Sequence, residues 1–396
     1  MPFRKCIFIL EISMARKVKK MSGKRYFDYS LLFVIIFVVG LGLIMIYSTS
    51  SYTAQMKYGS SEYYFFKQLQ FILLGFVAMY ITYRMDYHIW RRLANIVFWI
   101  SVVMILALIP FGKEVNGAKR WLRFGGFGIQ PADVSKFAVI VMLSSMVCSA
   151  GTKIKKFSYN CLLFILTAGI QAALIFVVSN NMSSALIVLG IAFVMTFVAY
   201  PGYKIYVAFA GAAVGGFVVL YNWLQGIVHK GMTDNFRLNR LMVWLQPENY
   251  ASGKGYQTVQ ALYAIGSGGL FGKGLGKSLQ KLGFIPESQN DMIFSIICEE
   301  LGLFGAVCII LVFALMLWRI IHIAQNAPDL FGTMLAAGVF AHVAIQVVLN
   351  IAVVTNFIPN TGVSLPFISY GGSSSVVLLA EMGIVLNISS KIRLER

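Results

Sequence analysis

The sequence predicts an all-α polytopic membrane protein of about ten transmembrane helices, with a large extracytoplasmic loop between spans seven and eight. Three observations carry this. Hydrophobic residues make up 58% of the 396 and charged residues 12%, whereas globular chains are about one quarter charged. Apolar runs of about 20 residues recur along the chain, the length that crosses the hydrocarbon core of a bilayer. The polar breaks between them are too short for a substantial soluble domain.

In order, the runs place spans at 29–50, 64–83, 93–111, 129–149, 159–178, 184–200, 206–224, 291–318, 331–357 and 373–390. An even count puts both termini on one side. The basic segment 1–28, RMDYHIWRR, GTKIKKFS and the tail 391–396 fall on that side, which the positive-inside rule makes cytoplasmic. Residues 29–390 then form a single transmembrane domain, with its extracytoplasmic loop at about 225–290. CIFILEISM near the start is too short and wrongly flanked for a cleaved signal peptide, and Met14 or Met21 is an alternative start. In such a chain the formal charge of +18 reports topology and contact with anionic lipid, so nucleic acid is set aside as a partner. Cys6, Cys148, Cys161, Cys298 and Cys308 have no metal-like spacing and indicate no disulfide framework.

Two outer segments run against the charge rule. Residues 112–128 carry Lys113, Lys119, Arg120 and Arg123, and residues 225–290 carry Lys230, Arg237, Arg240, Lys254, Lys273, Lys277 and Lys281. A long loop is translocated largely regardless of charge, so a solvated basic surface is one reading and an extracytoplasmic anion site the other. The short segment is the more telling, because topology bias acts most strongly there.

Acids are scarce, and Asp133, Asp291, Glu299, Glu300 and Glu381 fall in or at the rim of predicted spans. Ionisable groups at such depth face the bundle interior or a wet cavity and mark function by default. Asp291 opens span eight, where both water and a lipid-borne substrate reach it. Asn290 and Asp291 before MIFSII also suit a helix cap, and spacing alone leaves capping and catalysis open. Glu299 and Glu300 lie two turns deeper, which favours pairing with a cation or hydroxyl.

Three further clusters lie on the same outer side. AIGSGGLFGKGLGKSLQKLG (264–283) has the composition of a phosphate cradle without a nucleotide-loop pattern. SLPFISYGGSSS (364–375) joins Pro366 to Gly371, Gly372 and capping serines, the chemistry of a re-entrant hairpin lining a site. NGAKRWLRFGGFGIQPADVSK (116–136) offers Trp121 as an interfacial aromatic and Asp133 one turn before Lys136.

Together these clusters resemble the SEDS proteins (shape, elongation, division and sporulation), whose best-known members are FtsW and RodA. The carrying stretches are WLRFGGFGIQPADVSK, GYQTVQALYAIGSGGLFGKGLG, FIPESQNDMIFSIICEELG and PNTGVSLPFISYGGSSS, and the similarity spans the chain from residue 29. The resemblance implies a ten-span fold and an inverting peptidoglycan glycosyltransferase that polymerises lipid II, and undecaprenyl-pyrophosphate-linked glycan, into β-1,4 strands at the outer face of the cytoplasmic membrane. A class B penicillin-binding protein is the implied partner. The resemblance tips Asp291 from cap to catalytic residue, since the essential acid of the family follows HT in PExHTDFIF. On the matching stretches the substrate-binding candidates are Arg120, Trp121, Arg123, Lys136, Gln257, Ser267, Lys273, Lys277, Glu287, Pro366, Ser369, Gly371, Gly372 and Ser373.

The chain departs from the family pattern with QND for HTD, QPAD for QPSE and SNNMSSA for QPDLGTA, and its PNTGVSLPFISYGG leans towards the FtsW branch. The implied displacement needs a base on the acceptor hydroxyl and positive charge at the leaving pyrophosphate, which Asp291 and the outer basic residues supply. A divalent cation could assist, although no ligand cluster stands out. Two rival readings are a flippase for lipid-linked precursors and a non-catalytic scaffold for division or sporulation. A flippase needs helix-interrupting pairs in matching halves, which the sequence does not display, and a scaffold has no need of the acid at Asp291.

Overall fold

In the computed structural model the described residues are 26–115, 118–124, 127–200, 236–253 and 255–392, with isolated positions between 202 and 222. Most of the predicted seventh span, 206–224, lies outside them, as do most of the basic amino-terminal segment, Lys254 and the last four residues of the tail. Nine helices long and apolar enough to cross a membrane are found among the described residues. They are α1 (Tyr29–Tyr58), α2 (Tyr63–Arg84), α3 (His88–Phe111), α4 (Pro131–Lys155), α5 (Phe157–Ser179), α6 (Met182–Ala199), α9 (Ile293–Asn326), α10 (Leu330–Val354) and α11 (Gly372–Ser389). Two shorter helices, α7 (Phe236–Leu245) and α8 (Tyr256–Ser267), precede α9.

Helix lengths exceed the apolar runs at two places. Helix α1 continues through the polar STSSYTAQMKY to Tyr58, where Gly59 closes it in the left-handed conformation. Helix α9 runs on to Asn326. Hydropathy marks the segment that is soluble in lipid, but a helix continues until a cap stops it.

Helix α11 is the most enclosed of the nine. It packs chiefly on α2 and also touches α10, α4 and α9. Enclosure by protein explains how it carries Glu381, Asn387 and several serines without facing lipid. A further pairing of α3 with α4, and of α10 with α6 and α9, completes the bundle.

The segment between α3 and α4, read from sequence as a charged loop, is a small sheet. Strands β1 (Lys113–Val115), β2 (Ala118–Phe124) and β3 (Phe127–Ile129) form an antiparallel meander in the order β1-β2-β3. Side chains alternate across β2. Leu122 is accordingly buried and Arg120 half-buried, while Arg123 is exposed.

The glycine-rich run is the largest departure from expectation. It packs back against the broken part of α9. Helix α8 starts beside Asn360 and Pro286, which Gln257 bonds, and ends beside Glu299, which Ser267 reaches at 3.4 Å. It thus descends along α9 by about two turns and the following residues climb back. Helix α9 is broken at this depth, with Gly302 at φ 69°, ψ −171°. The break frees four backbone groups, and the glycine run takes all four. Lys273 and Gly274 donate to the carbonyls of Glu299 and Glu300, and Leu303 and Phe304 donate to those of Gly269 and Leu270. A Cβ at Gly272 would stand 2.2 Å from the Glu300 carbonyl and one at Gly302 would stand 2.3 Å from the Gly272 nitrogen. Only glycine allows two backbones so close.

Both acids beside the break are spent on holding this joint. Glu299 accepts from Lys273 Nζ (2.7 Å), Leu279 N (3.2 Å) and Gln280 N (3.3 Å), and also from Ser278 Oγ. Glu300 accepts from Ser48 Oγ of α1 at 2.7 Å and Lys281 Nζ at 2.9 Å. Buried carboxylates are tolerable because every one of these partners is a donor.

Candidate active site around Asp291

The segment FIPESQND is strapped between three elements before α9 begins. Ser288 Oγ bonds the Thr49 carbonyl on α1 at 3.3 Å, and Tyr370 N bonds the Gln289 carbonyl at 2.9 Å. On α10, Asn350 Nδ2 donates to the Asp291 carbonyl and to the Val363 carbonyl, each at 2.8 Å. The α9 N-cap is Met292, with no side-chain bond. Asp291 is therefore no cap, and its carboxyl is left for other work.

That carboxyl is half-buried and faces the backbone of Gly362, whose missing Cβ would lie 3.8 Å from Asp291 Oδ2. Burial raises its pKa to about 6, its own backbone N–H lowers it, neighbouring Glu287 raises it, and Arg240 lowers it. A carboxylate poised there accepts a proton well near neutral pH.

Two arginines converge on this position from separate elements. Arg240, on α7, donates to the Asn360 carbonyl at 3.3 Å, two residues from Gly362. Arg120, on β2, donates to the Asn180 carbonyl at 3.3 Å, while its Nε is buried without a partner among the described residues. Burial lowers the pKa of both; for Arg240, Arg120 lowers it further and Asp291 raises it. Two guanidiniums close enough to repel, beside one acid, have the electrostatics of an anion site.

The other predicted residues divide by place. Gln257 joins the site through Pro286 and Asn360. Glu287, at φ 51°, accepts from Asn290 at 3.0 Å and stays exposed nearby. Trp121 stacks over Gly128 inside the small sheet, 3.4 Å from where a Cβ would stand. Pro366 and Ser369 belong to a re-entrant loop, Gly371 is the N-cap of α11, and Gly372 and Ser373 are the first two residues of that helix. The Phe367 carbonyl packs on Gly42 in the middle of α1, and Phe367 itself sits at φ 64°, an outlier for an aromatic residue. Ser369 Oγ closes the loop on Leu365 N at 2.8 Å. Ser373 links the loop to QPAD, accepting from Gln130 N at 3.1 Å and donating to Asp133 at 3.3 Å, while Lys136 Nζ holds the other oxygen of Asp133 at 2.8 Å. The shorter Asp133 thus reaches both partners.

Four predicted binding residues stand elsewhere. Ser267 and Lys273 hold Glu299 at the break in α9 rather than an open anion site. Lys277 is exposed on the same re-entrant segment, and Arg123 faces away from Arg120 across β2. Sequence reasoning placed Arg240 in the basic loop without choosing it, and passed over SNNMSSA. That segment is part of the site frame: Asn181 caps α6, Asn180 receives Arg120, and Ser183 bonds the Thr361 carbonyl. Arg240 carried one signal, the amphipathic pattern FRLNRLMVWL in an otherwise polar loop.

A multi-pass helical membrane protein with a re-entrant loop and a guarded carboxylate at one end of the bundle is the class that this geometry defines. The cell cycle protein family of FtsW, RodA and SpoVE matches residues 29–394, and the chain belongs to it. It is 38% identical to stage V sporulation protein E of Bacillus subtilis, over 91% of this chain and 96% of that one. It is 37% identical to a probable peptidoglycan glycosyltransferase FtsW of Trichlorobacter lovleyi, over 93% and 94%. In fold it matches a chain of a peptidoglycan synthase complex solved for the coordination of polymerization and crosslinking, with TM-score 0.72, 22% identity and 93% and 99% coverage. It also matches the rod shape determining protein RodA of Thermus thermophilus, with TM-score 0.65, 23% identity and 93% and 98% coverage.

Proposed function

We propose that this chain is a peptidoglycan glycosyltransferase that polymerises lipid II at the outer face of the cytoplasmic membrane, with both termini cytoplasmic. The observation that carries the reading is the Asp291 carboxyl, freed from capping, raised towards neutral pKa by burial and facing Arg240, which Arg120 in turn approaches.

Asp291 takes the proton of the 4-hydroxyl of an incoming lipid II N-acetylglucosamine. The oxygen forms its bond to the anomeric carbon of the growing strand while the bond from that carbon to the lipid pyrophosphate breaks on the opposite face. An α-linked donor thereby becomes a β-1,4 link. The pyrophosphate leaves as an anion and needs no proton donor, and Arg120 and Arg240 stabilise its charge. Among the described residues, Glu287 is the second acid of the site, and no three His, Cys, Asp or Glu side chains gather as a metal site. Such a donor set is not an all-protein cage for a divalent cation, and no step is derived through one.

A class B penicillin-binding protein is the partner we propose, supported by the solved complex that the fold matches. The broken α9 and the re-entrant α8 favour a second reading, a lipid flippase, since transporters are built on interrupted helices. Here the break is closed by four backbone hydrogen bonds and two ion pairs, which makes it an anchor and not a gate.

The test is polymerisation of fluorescent lipid II by purified protein, with and without a class B partner. Asp291→Asn is expected to lose polymerisation by about a hundred- to ten-thousand-fold, the usual contribution of a general base. Strands formed at the parent rate would remove Asp291 from this role.

A further inference from the structure

Helix α10 carries a file of buried polar side chains that the proposed chemistry does not use. His342, Gln346 and Asn350 are spaced four residues apart, so they share one face and climb about 6 Å per step. All three are buried. At the top, Asn350 uses its amide nitrogen on the carbonyls of Asp291 and Val363, which fixes its Oδ1 as an acceptor. At the bottom, His342 Nδ1 lies 2.8 Å from Glu381 Oε2 on α11, at mid-helix in both.

Each of these four residues keeps a buried atom without a hydrogen-bond partner: Asn350 Oδ1, Gln346 Oε1, His342 Nε2 and Glu381 Oε1. Asn350 Oδ1 and Gln346 Oε1 are amide acceptors, and Glu381 Oε1 is an acceptor while its carboxyl is ionised. His342 Nε2 is an acceptor in the neutral ring and a donor in the imidazolium. A row of buried acceptors without a donor bonded to them calls for a ligand that donates, and the spacing suits one. A water donating to two acceptors spans about 5.5 Å, close to the helical step between these residues.

Surrounding charges do not supply the missing partner. On α4, Asp133 and Lys136 bond each other. On α9, Glu299, Glu300 and Arg319 are paired with Lys273, Lys281 and Asp28, and His322 lies near the far end. Helix α2 has Lys67 and Arg84 towards its two ends, and α3 has His88, Arg91 and Arg92 in its first turns. Helices α6 and α8 and strand β3 carry no charged residue, and α10 and α11 carry none besides His342 and Glu381. The dyad therefore settles its charge by itself, with protons and water as the available ligands.

We infer that His342, Glu381, Gln346 and Asn350 form a hydrated proton-binding site inside the bundle, reached by water from the Asp291 end. The waters bridge Asn350 to Gln346 and Gln346 to His342, and the proton resides on the His342–Glu381 pair. Asn350 joins this column to the backbone of Asp291, whatever the chemical role of that acid.

Exchange of the histidine C2 hydrogen in D2O, followed by mass spectrometry of the full-length protein across pH, reads the site directly, because exchange needs both water at the ring and its protonation. His88 and His322 are exposed and serve as internal standards. His342 is expected to exchange with a sigmoidal pH profile, more slowly than the standards. Glu381→Gln is expected to slow exchange at His342 by about tenfold, since the carboxylate favours the imidazolium that exchanges. Gln346→Leu, or the closer-shaped Gln346→Met, is expected to slow exchange at His342 alone by about tenfold, as a dry side chain removes the bridging acceptor. No exchange at His342 at any pH in the parent protein would overturn the proposal, and that measurement depends on no variant. So would exchange at His342 unchanged by Gln346→Met and Glu381→Gln, which would assign it to opening of the whole bundle.

Discussion

Lys273 Nζ lies 2.7 Å from Oε1 of Glu299, a carboxylate with no exposure of its own. The bond joins the tip of a re-entrant segment to a helix broken three residues later at Gly302. Removing one partner of a buried pair leaves the other uncompensated, at about 3–5 kcal/mol. Lys273→Met, which leaves the buried Glu299 without its cation, is therefore expected to lower thermal stability in detergent by that order. Lys273→Met combined with Glu299→Gln is expected to lose less than the single variant, because no bare charge remains. Equal losses would mean that the ion pair is incidental to the joint.

The same joint makes a steric prediction. Gly272→Ala places a methyl 2.2 Å from the Glu300 carbonyl at a φ of 77°. The strained backbone alone costs on the order of 1–3 kcal/mol, and the clash adds to it. Gly266→Ala is the control, since its methyl meets nothing within 4 Å. It lies inside α8, where alanine stabilises by about 0.4–1 kcal/mol. Thermal unfolding of the two variants should move in opposite directions.

The bundle was legible because spanning helices announce themselves in apolar runs, and the place of Asp291 at the mouth of α9 because it opens such a run, whereas spacing alone left its role between cap and base. The re-entrant segment was not. Helix α8 is 12 residues long, too short to register as a span, and its descent depends on donors and acceptors from Glu299, Glu300, Leu303 and Phe304, which follow it in sequence. Its glycines and lysines read equally as a phosphate cradle or as a backbone graft, and composition cannot separate the two. Arg120 and Arg123 looked equivalent for a related reason. A charged segment of 17 residues gave no sign of strands, and only the alternation of β2 sets the two arginines on opposite faces.

That alternation separates the basic residues by experiment. Arg120→Gln and Arg240→Gln are each expected to lower turnover of lipid II by about tenfold or more, the scale of losing one stabilising group on a leaving anion. Arg123→Gln and Lys277→Gln are expected to stay near the parent, since exposed charges away from a site act within about 0.5 kcal/mol. Initial rates at matched expression decide it. Loss at Arg123 with none at Arg120 would reverse the assigned face of β2.

Asp291 should carry opposite effects on stability and activity. Burial holds its carboxyl at a pKa of about 6 in the folded protein, above the ordinary value of 3.8. Because the folded value is the raised one, the folded state favours the protonated acid. The stabilising contribution is complete below 3.8 and is lost as pH rises through about 6. At neutral pH the ionised, half-buried carboxylate is thus a burden, at most about 3 kcal/mol for a shift of this size. Asp291→Asn removes that burden and is expected to raise the midpoint of thermal unfolding at pH 8, with the gain shrinking towards pH 4. Activity of the parent should follow the opposite course and rise through pH 6 as the base ionises. Unfolding midpoints and initial rates of polymerisation, taken across the same buffers, check both halves. A destabilised Asn variant at pH 8 would show that the carboxylate is held by partners that favour its charge, and the burial argument for its basicity would fall with it.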